Sequence, residues 1–148
     1  MKLRGVIVII CLLLFIGLAV AQEYIEVQDS VTGITSKALK SAQDWFIRGN
    51  QLYNNGSYEL AILCYDRAIE LDPSYASPWV NKGFCLKQLG RYEGALEAFD
   101  NATILNPLVP DLWKQKGDIL EGLGRYSEAN DAYSKAKELG YTGRSLLL

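Results

Sequence analysis

The feature that most constrains this chain is a set of residues that recurs every 34 positions. A tryptophan at position 45 recurs at 79 and again at 113, and no insertion separates the copies. Three copies in register do not arise by chance, and a period of this length indicates a stack of similar units. Glycine and aromatic positions share the interval: Gly49, Gly83 and Gly117; Gly56, Gly90 and Gly124; Tyr65, Phe99 and Tyr133.

The spacing within each copy is helical. Trp45, Gly49 and Leu52 lie at i, i+4 and i+7, which places them on one face of a helix. A second series of the same kind runs through residues 58–71. Gly56 separates the two series, and a glycine just past a helix end can take the left-handed conformation that ends the helix. Each copy is therefore predicted to be a helix, a tight turn and an antiparallel helix.

Small residues and prolines add detail to this prediction. We expect Gly49 and its equivalents to let the two helices of a copy approach closely, and the three tryptophans to be core residues. Pro73 ends a second helix, because proline cannot continue one. Ser77 and Pro78 then predict a cap and a first turn for the next helix. Two helices this short cannot bury both faces, so the copies are expected to stack.

The pattern W-x3-G-x2-L-x3-G-x-Y-x2-A-x3-[FY]-x2-A-x2-L-[DN]-P resembles the tetratricopeptide repeat. It is matched in three consecutive copies, at residues 42–75, 76–109 and 110–140. The resemblance implies an all-α fold, a right-handed α-solenoid of three helix-turn-helix repeats, whose concave groove is lined mainly by the first helix of each repeat. It also implies a protein–protein interaction module without chemistry of its own. The pattern is broken where the family often has leucine, at Arg48, Lys82 and Lys116.

The expected groove residues are those displaced from the packed face of each first helix. The first two repeats supply an apolar floor and the third supplies acidic side chains, so the expected partner is a protein or peptide with apolar residues at one end and lysine or arginine at the other. The residues predicted to bind this partner are Phe46, Asn50, Tyr53, Val80, Phe84, Lys87, Asp111, Lys114, Asp118 and Glu121.

One binding mode of the family is a carboxylate clamp that holds the acidic C-terminus of a chaperone. Asn50 and Asn81 match its two asparagines. Phe46, Asp111 and Gln115 stand where the clamp needs cations. Chaperone-tail binding is therefore not expected.

Residues 1–21 have the parts of a targeting segment. Lys2 and Arg4 precede an uncharged run that closes with Ala19-Val20-Ala21. Two alternatives stay open: a cleaved secretory signal, or an uncleaved anchor at the short end of what can span a bilayer. Both predict an extracytoplasmic location for the rest of the chain, secreted or tethered to the membrane.

The remaining segments flank the repeats. Residues 22–41 are interpreted as a spacer and the start of the first helix, and residues 141–148 as a short C-terminal tail. An alternative function follows from this end of the chain: self-association into a homo-oligomer through the last helix and Leu146–Leu148. Asn130 and Lys137, however, make the last helix more polar where a fourth repeat would pack.

Composition excludes several functional classes. The chain has no histidine, three cysteines and a formal net charge of −2. Without histidine the usual general base and the commonest metal ligand are missing, and the charge has the wrong sign for nucleic-acid binding. We therefore expect no enzyme activity, no metal site, no cofactor and no nucleic-acid partner.

Two covalent modifications stay open. Cys64 and Cys85 lie on neighbouring predicted helices, so an exported protein permits either a disulfide between them or two buried thiols. Asn55 and Asn101 begin N-x-[ST] sequons and are candidate glycosylation sites, with Asn55 the more accessible because it lies in a turn.

Overall fold

The structure is a computed structural model and describes residues 41–142. The predicted targeting segment, nearly all of the spacer, and Leu146–Leu148 lie outside the described residues. Within residues 41–142, no helix is both long and apolar enough to cross a membrane. The helices of this region are α1 (Ala42–Asn54), α2 (Tyr58–Leu71), α3 (Ala76–Gln88), α4 (Tyr92–Leu105), α5 (Pro110–Gly122) and α6 (Tyr126–Glu138).

The six helices form three helix-turn-helix repeats. The helices of each repeat, α1 with α2, α3 with α4 and α5 with α6, make the most extensive contacts. Each second helix also packs against the first helix of the next repeat. The predicted all-α solenoid of three repeats is therefore confirmed, and its stability comes from contacts within a repeat and between neighbours.

The turn inside each repeat is made by glycine. Gly56, Gly90 and Gly124 have φ angles of 76°, 71° and 73°, in the left-handed region that side chains with a Cβ atom rarely adopt. In the second repeat, the N–H of Arg91 donates to the Leu86 carbonyl at 2.8 Å, which satisfies an acceptor at the end of α3. The glycines predicted to end the first helices do so.

Helix starts differ from the prediction at one place. Ser41 caps α1 with a reciprocal capping box, in which Asp44 N–H donates to the serine hydroxyl and Ser41 N–H donates to the Asp44 carboxylate. α3 begins at Ala76 with Tyr75 as its N-cap, so Ser77 does not cap it. Pro78 occupies the third helical position, which is tolerated because the first four N–H groups of a helix have no partner within it.

The three tryptophans are not equally buried. Trp45 is 8% exposed, whereas Trp79 and Trp113 are half-buried. The indole N–H of Trp79 donates to the Pro73 carbonyl at 3.4 Å, and that of Trp113 donates to the Pro107 carbonyl at 2.8 Å. These two rings therefore also tie the loop between repeats to the helix that follows it.

The helical glycines make room for aromatic rings. A Cβ atom added to Gly83 would lie 2.8 Å from a ring carbon of Phe99, closer than real Cβ atoms approach. Gly49 has the same relation to Tyr65, and Gly117 to Tyr133. The close approach expected at these glycines is therefore an approach of the facing ring, not only of the two helix backbones.

Ion pairs connect neighbouring repeats. Lys82 on α3 pairs with Asp66 on α2 at 2.5 Å, and Lys116 on α5 pairs with Asp100 on α4 at 2.7 Å. Each lysine ammonium also lies 5.5 Å from the centroid of the tryptophan ring three residues earlier. The lysines that replace the family's leucine thus hold adjacent repeats together through their charged ends.

We predict that Gly83→Ala lowers the free energy of unfolding by about 1–2 kcal/mol, since the overpacking cost exceeds the gain in helix propensity. The matched control is Gly94→Ala on α4, where an added Cβ would meet only Leu86 methyl carbons at 3.5 Å. This control should be neutral or stabilising by up to about 1 kcal/mol. Urea unfolding followed by circular dichroism measures both, and equal stability of the two variants contradicts the ring-over-glycine interpretation.

Candidate functional site

The first helices of consecutive repeats lie next to one another along one side of the stack. α1 and α3 contact each other directly. Asn81 on α3 donates to Asn50 on α1 at 2.7 Å, and Lys87 on α3 pairs with Asp118 on α5 at 3.7 Å. We call the side of α1, α3 and α5 that carries these residues the inner face, and it is the candidate binding site.

One pair of residues sets the chemistry of the inner face in each repeat. The residue after each helical glycine meets the aromatic ring that lies over that glycine. The Tyr65 hydroxyl donates to Asn50 at 2.9 Å, and the Tyr133 hydroxyl donates to Asp118 at 3.1 Å. In the second repeat the pair is two rings, Phe84 and Phe99. A polar inner-face residue is thus matched by tyrosine, and an apolar one by phenylalanine.

In the first repeat, hydrogen bonds fix the amide of Asn50. Its side-chain oxygen accepts from both the Tyr65 hydroxyl and the Asn81 amide. Burial raises the pKa of Tyr65 above its usual value, so this hydroxyl is a weaker acid than an exposed tyrosine and remains a donor. The two asparagines that the sequence analysis singled out are therefore brought together.

Aromatic side chains surround this polar pair. Phe46 lies 6.0 Å from the Tyr65 ring and 5.2 Å from the Tyr75 ring, measured between centroids. The Tyr75 hydroxyl donates to Gln43 at 2.7 Å. Sequence reasoning missed Tyr75, although it immediately precedes α3 and so joins the two repeats. Tyr53 is half-buried, with its ring centroid 5.5 Å from that of Tyr58.

The centre of the inner face is apolar. Phe84 stands edge-on to Phe99, with ring centroids 5.3 Å apart and an interplanar angle of 84°. Phe99 is completely buried, whereas Phe84 and Val80 are half-buried and pack against the hydrophobic core. Phe84 therefore belongs partly to the core and partly to the exposed surface.

On the inner face of the third repeat, an acidic residue lies beside two lysines. The Asp118 carboxylate is 2.5 Å from the Lys114 ammonium as well as 3.7 Å from that of Lys87. Tyr133 also donates to Glu121 at 2.8 Å. Burial and these carboxylates raise the pKa of Tyr133. Asp111 is exposed at the start of α5.

Cys64 and Cys85 are completely buried thiols in this structure, not disulfide partners. The disulfide alternative is thus not what the structure contains. Burial raises the pKa of the Cys85 thiol to about 12, so the reactive thiolate is scarce. Each side chain fills space in the packing between helices, as a small apolar residue does.

The two sequon asparagines have different surroundings. Asn55 is exposed at the end of α1, whereas Asn101 is half-buried within α4 and donates its amide to the Glu97 carbonyl at 2.9 Å. Glycosylation of either stays a prediction. Among residues 41–142, no three acidic or cysteine side chains are placed to hold a metal ion.

Two family profiles match the chain, one described as TPR repeat over residues 49–90 and one as tetratricopeptide repeat over residues 86–140. No curated protein matches it significantly.

Several solved structures have the same architecture. MamA, known from a crystal structure, is 27% identical to this chain, with a TM-score of 0.66. The match covers 67% of this chain and 58% of the MamA chain. The second TPR of Spaghetti (RPAP3), bound to the HSP90 peptide SRMEEVD, is 27% identical, with a TM-score of 0.64, over 68% of this chain and 93% of that one. The first TPR of the same protein, with the same peptide, is 24% identical at a TM-score of 0.66 and shows the fold alone.

The pairing across each repeat makes a prediction for the second repeat. In Phe99→Tyr the new hydroxyl would face Phe84 and lack a polar partner, so the free energy of unfolding should fall by about 1–3 kcal/mol. The double variant Phe84→Asn, Phe99→Tyr recreates the pair of the first repeat and should show a favourable coupling of at least about 0.5 kcal/mol. Urea unfolding of the four proteins measures this coupling, and strictly additive changes contradict the pairing.

Proposed function

The chain belongs to the tetratricopeptide repeat family, and from that premise we propose that it is a non-enzymatic scaffold that binds a peptide or a segment of a partner protein on its inner face. Proteins of this fold commonly serve as protein–protein interaction scaffolds. The second RPAP3 repeat domain, which aligns with 68% of this chain, was solved with a bound peptide.

The observation that carries this proposal is the half-buried position of Phe84. Its ring is held edge-on by Phe99, so its orientation is fixed before any partner arrives. An aromatic ring that is already ordered loses little conformational entropy on binding. Rings placed near the centre of an interface and flanked by polar groups are the usual energetic anchors of protein recognition.

The polar groups on either side support binding of an extended segment. Asn50 and Asn81 lie on one side of Phe84 along the stack, and Lys114, Asp118 and Glu121 lie on the other. Such groups can satisfy the backbone amides and polar side chains of a bound segment, which fixes its register.

The partner is proposed to differ from an acidic chaperone tail. The asparagines of the family's carboxylate clamp are present and in contact, but Phe46, Asp111 and Gln115 occupy the places of its cations. Exposed Asp111 and Glu121 instead favour lysine or arginine in the partner where it crosses the third repeat.

The location of the protein is part of the proposal. The basic start, the apolar run and the A-x-A ending of residues 1–21 support export, with the repeats secreted or tethered outside the membrane. The partner would then be another protein of the cell exterior or of an extracytoplasmic compartment.

We predict that Phe84→Ala weakens binding of a peptide selected from a random displayed library by about thirtyfold, the loss of about 2 kcal/mol expected for an interface anchor. The matched control is Tyr126→Ala, which removes an aromatic ring that is 66% exposed on α6, a second helix outside the inner face. Fluorescence anisotropy with the selected peptide measures both affinities.

Two results would contradict this proposal. One is equal loss of affinity in both variants while circular dichroism shows intact helices. The other is selection of no peptide by a protein whose sedimentation shows a concentration-dependent dimer, which favours self-association as the function.

The proposed export of the chain leads to a separate prediction. A fusion of the full chain to alkaline phosphatase, an enzyme that is active only outside the bacterial cytoplasm, should show phosphatase activity. The same fusion lacking residues 1–21 should be made in equal amount and be inactive. Activity in both fusions, or in neither, contradicts the proposed location.

A further inference from the structure

Asp118 is surrounded by cationic and hydroxyl groups from three helices. Lys87 comes from α3 in the second repeat, Lys114 from α5, and Tyr133 from α6. One carboxylate oxygen lies 2.5 Å from the Lys114 ammonium and 3.7 Å from that of Lys87. The other lies 3.1 Å from the Tyr133 hydroxyl, whose single proton is shared with the Glu121 carboxylate at 2.8 Å. Both oxygens are thus engaged by donors.

This arrangement is reachable from solvent. The side chain of Asp118 is 22% exposed, and those of Lys87 and Lys114 are 32% and 31% exposed. Two ammonium groups and a hydroxyl that converge on one carboxylate are the kind of donor set with which a protein recognises the carboxylate of a ligand. Here the carboxylate belongs to the chain itself.

The charges occur together in only one of the three repeats. The equivalents of Asp118 are Asn50 and Phe84, and those of Lys114 are Phe46 and Val80. Because neither of the other repeats has this acid or this lysine, the general architecture of the stack does not require the pair. Its position on the inner face points instead to a role in selecting the partner.

We propose that the carboxylate of Asp118 fills a carboxylate-binding position formed by Lys87, Lys114 and Tyr133. The inner face thereby rejects acidic segments. This inference rests on the proposed function, since it concerns which segments the inner face accepts. A partner carboxylate entering here must displace Asp118 from its donors and then remain beside an unpaired negative charge. A neutral or basic segment meets neither obstacle.

The test is to remove the charge of Asp118 and keep its shape. In Asp118→Asn, an amide replaces the carboxylate that faces both ammonium groups. The probes are the acidic peptide SRMEEVD and an uncharged analogue, SQMQQVN with an acetylated N-terminus and an amidated C-terminus. We expect Asp118→Asn to raise the affinity of the full chain for SRMEEVD about tenfold, a typical size for one charge-assisted hydrogen bond.

The matched control is Glu93→Gln, which removes an equal charge at an exposed position on α4, a second helix outside the inner face. It should change the affinity for SRMEEVD less than threefold. Adding Lys114→Gln or Lys87→Gln to Asp118→Asn should abolish the gain. Affinity for the uncharged peptide should change little in every variant.

A solution measurement checks the pair without any peptide. The hydrogen bond to Asp118 raises the pKa of Lys114, so this pKa, followed by NMR, should fall in Asp118→Asn. Circular dichroism verifies folding, and Asp118→Ser serves as the second variant if the asparagine variant does not fold.

The inference is overturned if Asp118→Asn gains no affinity for the acidic peptide, or gains no more than Glu93→Gln. The proposed function fails in a distinguishable way. Its failure appears as peptide binding that does not depend on Phe84, whereas failure of this inference leaves the dependence on Phe84 intact.

Discussion

The contact on which this structure depends is an aromatic ring lying over a glycine. Tyr65, Phe99 and Tyr133 cross from the second helix of each repeat to the first, over a residue that must lack a Cβ atom. The ring then meets the next residue of the first helix, which lies on the inner face. The same contact that brings the two helices together therefore orients one residue of the candidate binding surface. The ring therefore contributes both to the stability of the fold and to the geometry of the candidate site.

Contacts between repeats are of a different kind. Buried residues of the second and third repeats form one hydrophobic cluster, against which Ile62 of the first repeat also packs. The pairs of Lys82 with Asp66 and Lys116 with Asp100 lie on the partly exposed surface, where an ion pair contributes at most about 1 kcal/mol. Apolar packing thus supplies most of the stability between repeats. In the third repeat a serine, at position 134, replaces these aspartates, so the pattern of ion pairs is not continued.

The architecture could be predicted from the sequence because helices and tight turns depend on residues that are close together in the chain. The 34-residue period and the turn glycines are both signals of this kind. The residues of the candidate site were predicted separately for each helix. The residues that they contact on other helices were not predicted. Lys87 and Asp118 are 31 residues apart and meet only through the packing of one repeat on the next, so both residues were predicted but their ion pair was not. Tyr133 was identified only as a recurring aromatic position, and its hydroxyl contacts residues of the inner face.

The repeat architecture gives each part of the inner face its own chemistry. Asn50, Phe84 and Asp118 each meet the ring of their own repeat, and Asn50 and Asp118 also contact a residue of the neighbouring repeat. The chain presents a neutral polar stretch at Asn50, an apolar stretch at Phe84 and a charged stretch at Asp118. A bound segment therefore contacts a neutral polar, an apolar and a charged surface in a fixed order. Selectivity arises from this order, because a segment that suits one stretch but meets the wrong chemistry at the next loses affinity there.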